Sequence, residues 1–325
     1  MLSNPHMPSK TPETVFIIHH GSQDYLQVAA HFVKKFGNRA VLIGNDPATG
    51  QICDQYFDDG QIDLPDYAEF ERNYVHMSSA TREFELLCFK RYFYLYAIAK
   101  AQDLNHFWMI DSDLVLLHDL SKLVKNSLLK DSLAAFSTPY QDDVTLASSP
   151  HCSYWTLQGL EQFIQFLGQM YQGETRRLLD KKYAHHLENN VPGGICDMTA
   201  LYLWQKNNAR VLNLADAHLH GLPLFDNNLN HDGNLHAKEF EMIKRINLKK
   251  VSGTFPNFFA HNANQKLTTP LACLHFQGMA KAYMKHFMHN EAISYRAYAG
   301  EIARLYIERR INSLKRKLSF KSKQL

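Results

Sequence analysis

Two acidic residues, Asp111 and Asp113, directly follow the apolar run at residues 107–110. On a strand end or the turn after it, carboxylates in this spacing can reach one cation, because the residue between them turns its side chain away. Their hard oxygen ligands suit Mg²⁺ or Mn²⁺. An ion held in this way can neutralise a diphosphate and stabilise it as a leaving group. Acids at strand ends are also common without any metal, so the surrounding sequence has to support this interpretation.

A second group of candidates lies in the segment LACLHFQGMAK, which contains His275, Gly278 and Lys281. A neutral imidazole at His275 could bind a metal ion. Gly278 would let a phosphate approach the backbone, and Lys281 would add a cation beside it. The alternative is a buried structural histidine beside a turn glycine and a solvated lysine.

The elements around these motifs indicate an α/β protein. An apolar, β-branched run at 15–20, a helical stretch at 25–36 and a second apolar run at 39–44 predict an opening βαβ unit and a parallel sheet. Apolar residues from Phe84 onward recur at three- and four-residue steps, which predicts an amphipathic helix over 81–100 that leads into the 107–110 strand. Ligands of such sheets bind beyond the carboxyl ends of the strands, where Asp111 and Asp113 would lie.

The rest of the chain continues the same pattern. Further strands are predicted at 114–117, 133–138, 210–214 and 271–275, and helices are predicted at 156–171, with Thr156 as N-cap, and from Asp197. Residues 53–80 are predicted to be loop with one short strand. We also predict a charged linker at 176–182 and an exposed loop at 226–234, which is rich in turn-forming residues.

Together, the DxD at Asp111 and Asp113 and the HFxGxxK motif that begins at His275 resemble the GT-A glycosyltransferases, particularly those related to family 8. The resemblance implies a Rossmann-like nucleotide-diphospho-sugar transferase fold, with a mainly parallel central sheet flanked by helices. It also implies an Mn²⁺ or Mg²⁺ ion held by Asp111, Asp113 and His275, and a nucleotide-sugar donor such as a UDP-sugar. Ala282 and Tyr283 stand where a Pro-Trp pair often follows the family's lysine, which leaves the subfamily and the donor open.

The resemblance extends to other residues of the chain. The opening VFIIHHGSQDYL looks like the family's first strand and base-binding loop, so His19 and Gly21 are expected to contact the donor, as are Gly278 and Lys281. The implied activity is transfer of a sugar to an acceptor hydroxyl, with retention at the anomeric carbon. The implied organisation is a flexible N-terminus at 1–12, a catalytic domain at 13–290 and a basic helix and tail at 291–325. Within the catalytic domain, about 13–140 would bind the donor, about 141–270 the acceptor, and 271–285 would close over the metal and diphosphate.

Two further residues are candidates for catalysis. Asp197 follows a Pro-Gly-Gly loop at a helix start, where a carboxylate can meet sugar hydroxyls or assist the reacting centre. It could equally be an ordinary acid at a helix start. Arg91, on the helix before the DxD strand, could contact the diphosphate, or it could form a structural ion pair or face solvent.

Two other functions compete with this interpretation. Asp111 and Asp113 also match the DxDx[TV] pattern of haloacid-dehalogenase-like phosphatases, in which Asp111 would be the nucleophile. That motif normally opens its domain, whereas two βα units and a long helix precede it here, and Asp142 and Asp143 follow too closely to be the acids expected far downstream. The third possibility is a non-catalytic nucleotide-sugar-binding protein, although the intact metal ligands speak against it. The histidines do not predict zinc, because the pairs at 19–20 and 185–186 lack a partner at helical spacing.

Composition adds expectations about partners and location. The net charge of +3 over 325 residues gives no reason to expect a nucleic-acid partner, and five scattered cysteines favour a reducing compartment. Without a signal-peptide pattern or a spanning segment, we expect a cytoplasmic protein. Basic and apolar residues at 302–323 predict an amphipathic helix that contacts an anionic membrane. A helix packed on the catalytic domain that ends in a solvated tail is the alternative, and the oligomeric state is left open.

Overall fold

The computed structural model describes residues 12–125, 127–231, 238–243, 247–290 and 293–321, and for residues 127, 290 and 314–321 it describes the backbone alone. The flexible N-terminus predicted at 1–12 therefore lies almost wholly outside the described residues. The strands are β1 (Thr14–His19), β2 (Arg39–Gly44), β3 (Gln55–Asp58), β4 (His106–Ile110), β5 (Leu114–Leu116), β6 (Ala134–Ser137), β7 (Ser149–Thr156), β8 (Val211–Asn213), β9 (Leu224–Phe225), β10 (Met242–Ile243), β11 (Leu248–Lys249), β12 (Val251–Thr254), β13 (Asn257–Asn262) and β14 (Leu267–His275).

The helices alternate with these strands along the chain. They are α1 (Asp24–Lys35), α2 (Pro47–Gly50), α3 (Pro65–Asn73), α4 (Arg82–Ala101), α5 (Leu120–Val124), α6 (Ser127–Lys130), α7 (Leu157–Gln169), α8 (Gly173–Glu188), α9 (Asp197–Lys206), α10 (Met284–Asn290) and α11 (Tyr295–Lys321). Short 3-10 helices occupy Asp59–Gln61, Ala217–His220 and Gly278–Tyr283. Among the described residues, no helix combines the length and the apolar character needed to cross a bilayer.

The main sheet has the strand order β3-β2-β1-β4-β7-β6-β8 within the described residues. The pairs β1–β2, β2–β3, β1–β4 and β6–β8 are parallel. Strand β7 is antiparallel to its neighbours β4 and β6, so the remaining strands of the sheet share one direction. The predicted α/β class, with a mainly parallel sheet flanked by helices, is confirmed.

Successive side chains of each strand point to opposite faces of the main sheet, and both faces are apolar. In β1, Val15 and Ile17 pack into the cluster that contains α1, whereas Phe16 faces the cluster that contains α4 and α7. Successive side chains of a strand point to opposite faces, so a strand buried on both sides must be apolar throughout, as β1 is. The helices of both faces therefore hold the carboxyl ends of β1 and β4 in fixed positions.

A smaller sheet joins the C-terminal motif to the DxD segment. Its order is β12-β13-β14-β5, and β9 also pairs with β14. In the antiparallel β14–β5 pair, His275 lies opposite Leu114. The amide of Phe276 also donates to the carbonyl oxygen of Asp113 at 2.9 Å. This pairing brings two motifs that are far apart in sequence to one point.

Several predicted elements are confirmed. The strand at 39–44 is observed at these bounds, and the Thr156 side chain caps α7 by accepting from the Gly159 amide. The α4 prediction holds as well, although its first predicted apolar residue, Phe84, is 58% exposed.

Two predictions about local structure were wrong, and one strand was missed. The segment at 53–80, predicted to be loop with one short strand, contains the strand β3 but also the helix α3, and the predicted linker at 176–182 lies inside α8. Helix α8 buries only Leu179 and Lys182, so it lacks the apolar stripe on which a helix prediction depends. Strand β7 was not predicted. Its buried residues include His151 and Ser153, and because these residues are polar, a pattern of apolar residues does not reveal that they are buried.

Candidate active site

A cleft of about 530 Å³ opens at the carboxyl ends of β1 and β4. Its walls come from these strand ends, from α4, from the start of α9 and from the end of β14. It is lined by Ile18, His19, His20, Phe84, Glu85, Leu87, Cys88, Arg91, Met109, Ile110, Asp111, Asp113, Pro139, Ala147, Ser149, Pro150, Cys196, Asp197, Met198, Asn227, His275, Gln277 and Lys281. Seven of the nine residues singled out from the sequence are in this set, although they come from widely separated parts of the chain.

Asp111, Asp113 and His275 form a group that could hold a metal ion, since one potential ligand atom from each lies within 4.8 Å of the others. Ligands about 2.1 Å from a Mg²⁺ ion stand about 3–4 Å apart, so the three side chains could bind a common ion after small adjustments. Asp113 and His275 are buried, and Asp111 is partly exposed toward the cleft. The residues therefore fit a single divalent cation.

The orientation of His275 leaves one ring nitrogen for a ligand. Its Nδ1 donates to the carbonyl oxygen of Asn227 at 2.6 Å, and its Nε2 lies 3.4 Å from Asp113 Oδ1. The ring also stacks parallel to His151, with 4.4 Å between centroids. A hydrogen bond from the far nitrogen to a carbonyl is the usual way in which proteins fix the tautomer and direction of a metal-binding histidine.

A buried polar group supports His275 from behind. The carboxylate of Asp226 accepts from the His275 amide at 3.0 Å and forms an ion pair with Lys249, both side chains being fully buried. His151 Nε2 donates to the Asp226 carbonyl oxygen at 2.8 Å, and the Ser149 hydroxyl donates to His151 Nδ1 at 2.7 Å. Burial holds the pKa of His151 well below its usual value, and the charge of His275 lowers it further. The predicted exposed loop at 226–234 was therefore wrong at Asp226, and 232–234 lie outside the described residues.

The charges around Asp113 favour an anionic carboxylate. Burial by itself would raise the pKa of Asp113, but the hydrogen bond and charge of His275, together with Lys281, lower it to about 2. The Lys281 ammonium lies 2.9 Å from Asp113 Oδ2. Burial by itself would lower the pKa of His275. The hydrogen bond and charge of Asp113 outweigh the effect of burial, so the pKa of His275 is raised. The Asp113 carboxylate is therefore ionised, and in the absence of a metal ion its charge is balanced by Lys281.

Arg91 connects the DxD segment to the start of α9. Its guanidinium donates to Asp111 Oδ1 at 3.3 Å and forms an ion pair with Asp197 Oδ2, which also accepts from the Tyr92 hydroxyl at 3.0 Å. Asp197 is almost completely buried, and Arg91 is mostly buried. The structural ion pair that the sequence left as an alternative for Arg91 is thus present, and it lies in the wall of the cleft.

The other predicted donor-binding residues lie at or beside the cleft. His19 Nδ1 and the Ser112 hydroxyl are 2.9 Å apart, which ties the end of β1 to the DxD segment. Gly21 has φ +95°, and its amide donates to the Asn45 side chain at 3.0 Å. Gly278 has φ +66°, and no atom lies within 4 Å of the position that a Cβ would take. Gly21 and Gly278 adjoin cleft residues without being among the lining residues.

Sequence reasoning missed the residues that position His275. The contact with Asn227 joins positions 48 apart, and that between His151 and Asp226 joins positions 75 apart. The turn-forming composition around Asp226 indicated a loop, but no local pattern shows that the loop folds inward. Glu85, buried in the cleft wall, was missed because it sits among the polar residues of the first turn of α4.

No protein-family model matches the chain, and no curated protein matches it in sequence. Several solved structures are similar to it at low identity. Mouse xyloside xylosyltransferase 1 is 10% identical, with a TM-score of 0.43 and a match that covers 62% of this chain and 84% of that one. The galactosyltransferase LgtC, solved with donor and acceptor sugar analogs, is 12% identical, with a TM-score of 0.43 and coverage of 89% and 99%. The bifunctional glycosyltransferase WbbM is 12% identical, with a TM-score of 0.44, and this chain spans about half of it, with coverage of 91% and 52%.

Proposed function

We propose that the protein is a metal-dependent glycosyltransferase that moves a sugar from a nucleotide-diphosphate donor to an acceptor hydroxyl. The observation that supports this most is the convergence of Asp111, Asp113 and His275 at the carboxyl edge of the sheet, with Lys281 in contact with Asp113. Two carboxylates, an imidazole and an ammonium group that line one cleft match the needs of a cation and a diphosphate.

The diphosphate would lie between the metal ligands and the segment that follows β14. A Mn²⁺ or Mg²⁺ ion bound there would neutralise charge on the departing diphosphate. Lys281, released from Asp113 when the carboxylate turns to the cation, would donate to a phosphate oxygen. The open space beside Gly278 would let a phosphate approach the backbone closely.

The donor is proposed to be a UDP-sugar whose base lies near His19 and Gly21, in the part of the chain at about 13–140. The acceptor would enter from the part at about 141–270, and residues 271–285 would close over the metal and diphosphate. His19 supports this placement, since it lines the cleft and contacts the DxD segment through Ser112.

Arg91 and Asp197 are proposed to position the donor sugar and to favour retention. An inverting enzyme needs a free carboxylate to accept the proton of the incoming hydroxyl. Asp197 Oδ2 is already engaged by Arg91 and Tyr92, which makes it a poor base. In a retaining reaction the leaving phosphate can take that proton on the same face. Product stereochemistry determined by NMR tests this, and an inverted anomeric centre would contradict it.

The decisive experiment is a screen of nucleotide sugars for hydrolysis and transfer with Mn²⁺, with Mg²⁺ and with excess chelator. We expect one donor to be hydrolysed slowly and only when metal is present. Asp111→Ala, Asp113→Ala and His275→Ala should each abolish most of this activity with the fold intact, whereas Asp180→Ala, at an exposed acid of α8, should not. Full activity in chelator, or in any of the three site variants, would contradict the proposed metal site.

The same screen separates the competing functions. Release of phosphate from simple phosphomonoesters would favour a phosphatase with Asp111 as its nucleophile. The contact of Asp111 with Arg91 and its place after the fourth strand of the chain give that mechanism no support. A metal-dependent thermal shift with UDP, but no turnover of any donor, would instead indicate a non-catalytic binding protein.

A further inference from the structure

Helix α4 contributes one acidic residue, Glu85, to the cleft lining, away from the metal ligands. Glu85, Cys88 and Arg91 all line the cleft at successive positions along the helix. Glu85 lies about 9 Å from Arg91 along the helix axis. It is therefore in the wall of the cleft but outside the group formed by Asp111, Asp113 and His275.

Only one oxygen of Glu85 has a partner. Its Oε1 accepts from the Ser78 hydroxyl at 2.6 Å. Its Oε2 is buried, and no donor in the described part of the chain lies within hydrogen-bonding distance of it. Burial raises the pKa of Glu85, and the nearby charge of Asp197 adds to this effect. A buried carboxyl oxygen without a partner is unfavourable and would be stabilised by a hydroxyl donor.

The segment that contacts Glu85 is hydrogen-bonded to the loop before α9. Ser78 forms a bridge with Gly194, and the neighbouring amides of Ser79 and Ile195 donate across the same junction, at 2.9 and 2.8 Å. Gly194 itself permits this close approach, since a Cβ there would lie 2.2 Å from the Met77 carbonyl oxygen. The fold thus fixes the carboxyl group of Glu85 in the cleft wall, and a small movement of this wall would bring its unpartnered oxygen, which is closed to solvent, into contact with a ligand.

An exposed aromatic ring adjoins this acid. Phe84 lines the cleft and is 58% exposed, although it begins the apolar pattern of α4. Pyranose rings combine an apolar face of C–H groups with hydroxyls at their edge. An aromatic face beside a carboxylate matches both features, because the ring packs against the C–H groups while the acid accepts a hydroxyl.

We propose that Phe84 and Glu85 form a sugar-binding subsite, in which Glu85 Oε2 accepts a hydroxyl and Phe84 packs against the sugar ring. This inference rests on the proposed glycosyltransferase function and deepens it by naming residues that select the sugar. The hydroxyl can belong to the acceptor or to the transferred sugar of the donor. The chemistry of recognition is the same in both cases, so the experiment has to separate them.

The test compares Glu85→Gln, Glu85→Met and Phe84→Ala with the wild type, once the screen has identified a donor. Donor KM is measured from hydrolysis without acceptor, and acceptor KM from transfer to glucose, galactose, maltose and cellobiose. Loss of a hydrogen bond to a charged group should raise one of these KM values about tenfold or more in Glu85→Met, with a smaller rise in Glu85→Gln. Phe84→Ala should raise the same KM. Thermal melting shows whether each variant is folded.

Which of the two KM values rises shows whether the subsite binds the acceptor or the transferred sugar. A rise confined to acceptor KM assigns the subsite to the acceptor, and a rise in donor KM assigns it to the transferred sugar. Glu83→Gln, an exposed acid on the same turn of α4, is the matched control and should behave as wild type.

Failure of this inference is distinguishable from failure of the proposed function. If the wild type turns over a donor and folded Glu85→Met has unchanged KM values for donor and acceptor, the subsite is overturned and the function stands. If no donor is turned over, binding of the same four sugars is measured by calorimetry. Absence of wild-type binding, or equal binding by Glu85→Met, then overturns the subsite as well.

Discussion

The buried ion pair between Lys249 and Asp226 provides a sharp test of how the site is supported. Both side chains are fully buried, and the Asp226 carboxylate also accepts from the His275 amide. In Lys249→Met the carboxylate would remain buried without its counter-charge. Removing one partner of a buried pair costs about 3–5 kcal/mol. That is a large part of the total stability of about 5–15 kcal/mol that is usual for a folded domain.

The next residue in the chain supplies the control. Lys250 forms a similar pair with Glu241 at 2.9 Å, but both side chains are more than 40% exposed. An exposed pair is screened by solvent and contributes little, so Lys250→Met should change the free energy of unfolding very little. The two variants remove the same group from neighbouring positions, and only burial distinguishes them.

The assay is urea unfolding followed by fluorescence and circular dichroism, with Mn²⁺ affinity measured on the folded variants. Adding Asp226→Asn to Lys249→Met removes the uncompensated charge and should recover much of the lost stability, since the amide oxygen can still accept from His275. Misplacement of His275 should also weaken Mn²⁺ binding about 10- to 100-fold in Lys249→Met. Equal, small losses of stability in Lys249→Met and Lys250→Met would refute the reasoning.

Three further predictions address the metal, the loop before α9 and the tail. Because the pKa of His275 is raised and a metal must displace its proton, Mn²⁺ affinity by calorimetry should increase from about pH 6 to about pH 8, and a flat profile would argue against His275 as a ligand. Gly194→Ala would place a Cβ 2.2 Å from a backbone carbonyl oxygen, at a residue with φ +146°. Thermal melting should therefore show that the free energy of unfolding falls by about 1–3 kcal/mol. Gly168→Ala is the control, because the space around that position is open, and it should be neutral or stabilising. If residues 302–323 contact anionic membranes, vesicles of anionic lipid at low salt should sediment the full chain but not a chain that ends at Ala299. Equal recovery of both chains in the supernatant, with and without vesicles, would reject the contact.

The tail illustrates a prediction that the structure leaves open. Helix α11 exposes Tyr306, Ile307 and Ile311, as a membrane-contacting helix would, but the side chains of 314–321 lie outside the described residues. The beginning of the helix is packed instead, since Tyr298 is buried and Glu301 pairs with His286. Packing at the start of α11 agrees with the alternative of a helix packed on the rest of the chain, and the membrane contact and the cytoplasmic location stay predictions.

Local sequence was sufficient for the elements that carry the DxD segment. An uninterrupted apolar run bounded by turn-forming residues predicts a strand buried on both faces, so β1, β2 and β4 were predicted within about one residue of their observed bounds. Thr156 was recognisable as an N-cap, because a hydroxyl at that position can accept from a backbone amide of the first turn. Helix α8 and strand β7 could not be predicted in this way, since their burial depends on neighbours distant in sequence.

For the site itself, the sequence determined which chemical groups are available, and the spacing of Asp111 and Asp113 already placed two carboxylates where one cation could meet both. The HFxGxxK motif that begins at His275 predicted the third ligand of the metal ion beside these two carboxylates. Only the tertiary structure decided that β14 pairs with β5 and thereby brings His275 to Asp113, and that Arg91 reaches Asp197 across 106 positions. The fold also buries Lys249 with Asp226 behind His275 and leaves one oxygen of Glu85 free in the cleft wall. Such contacts depend on which surfaces pack together, and the pattern of residues within one segment does not specify which other segment it will contact.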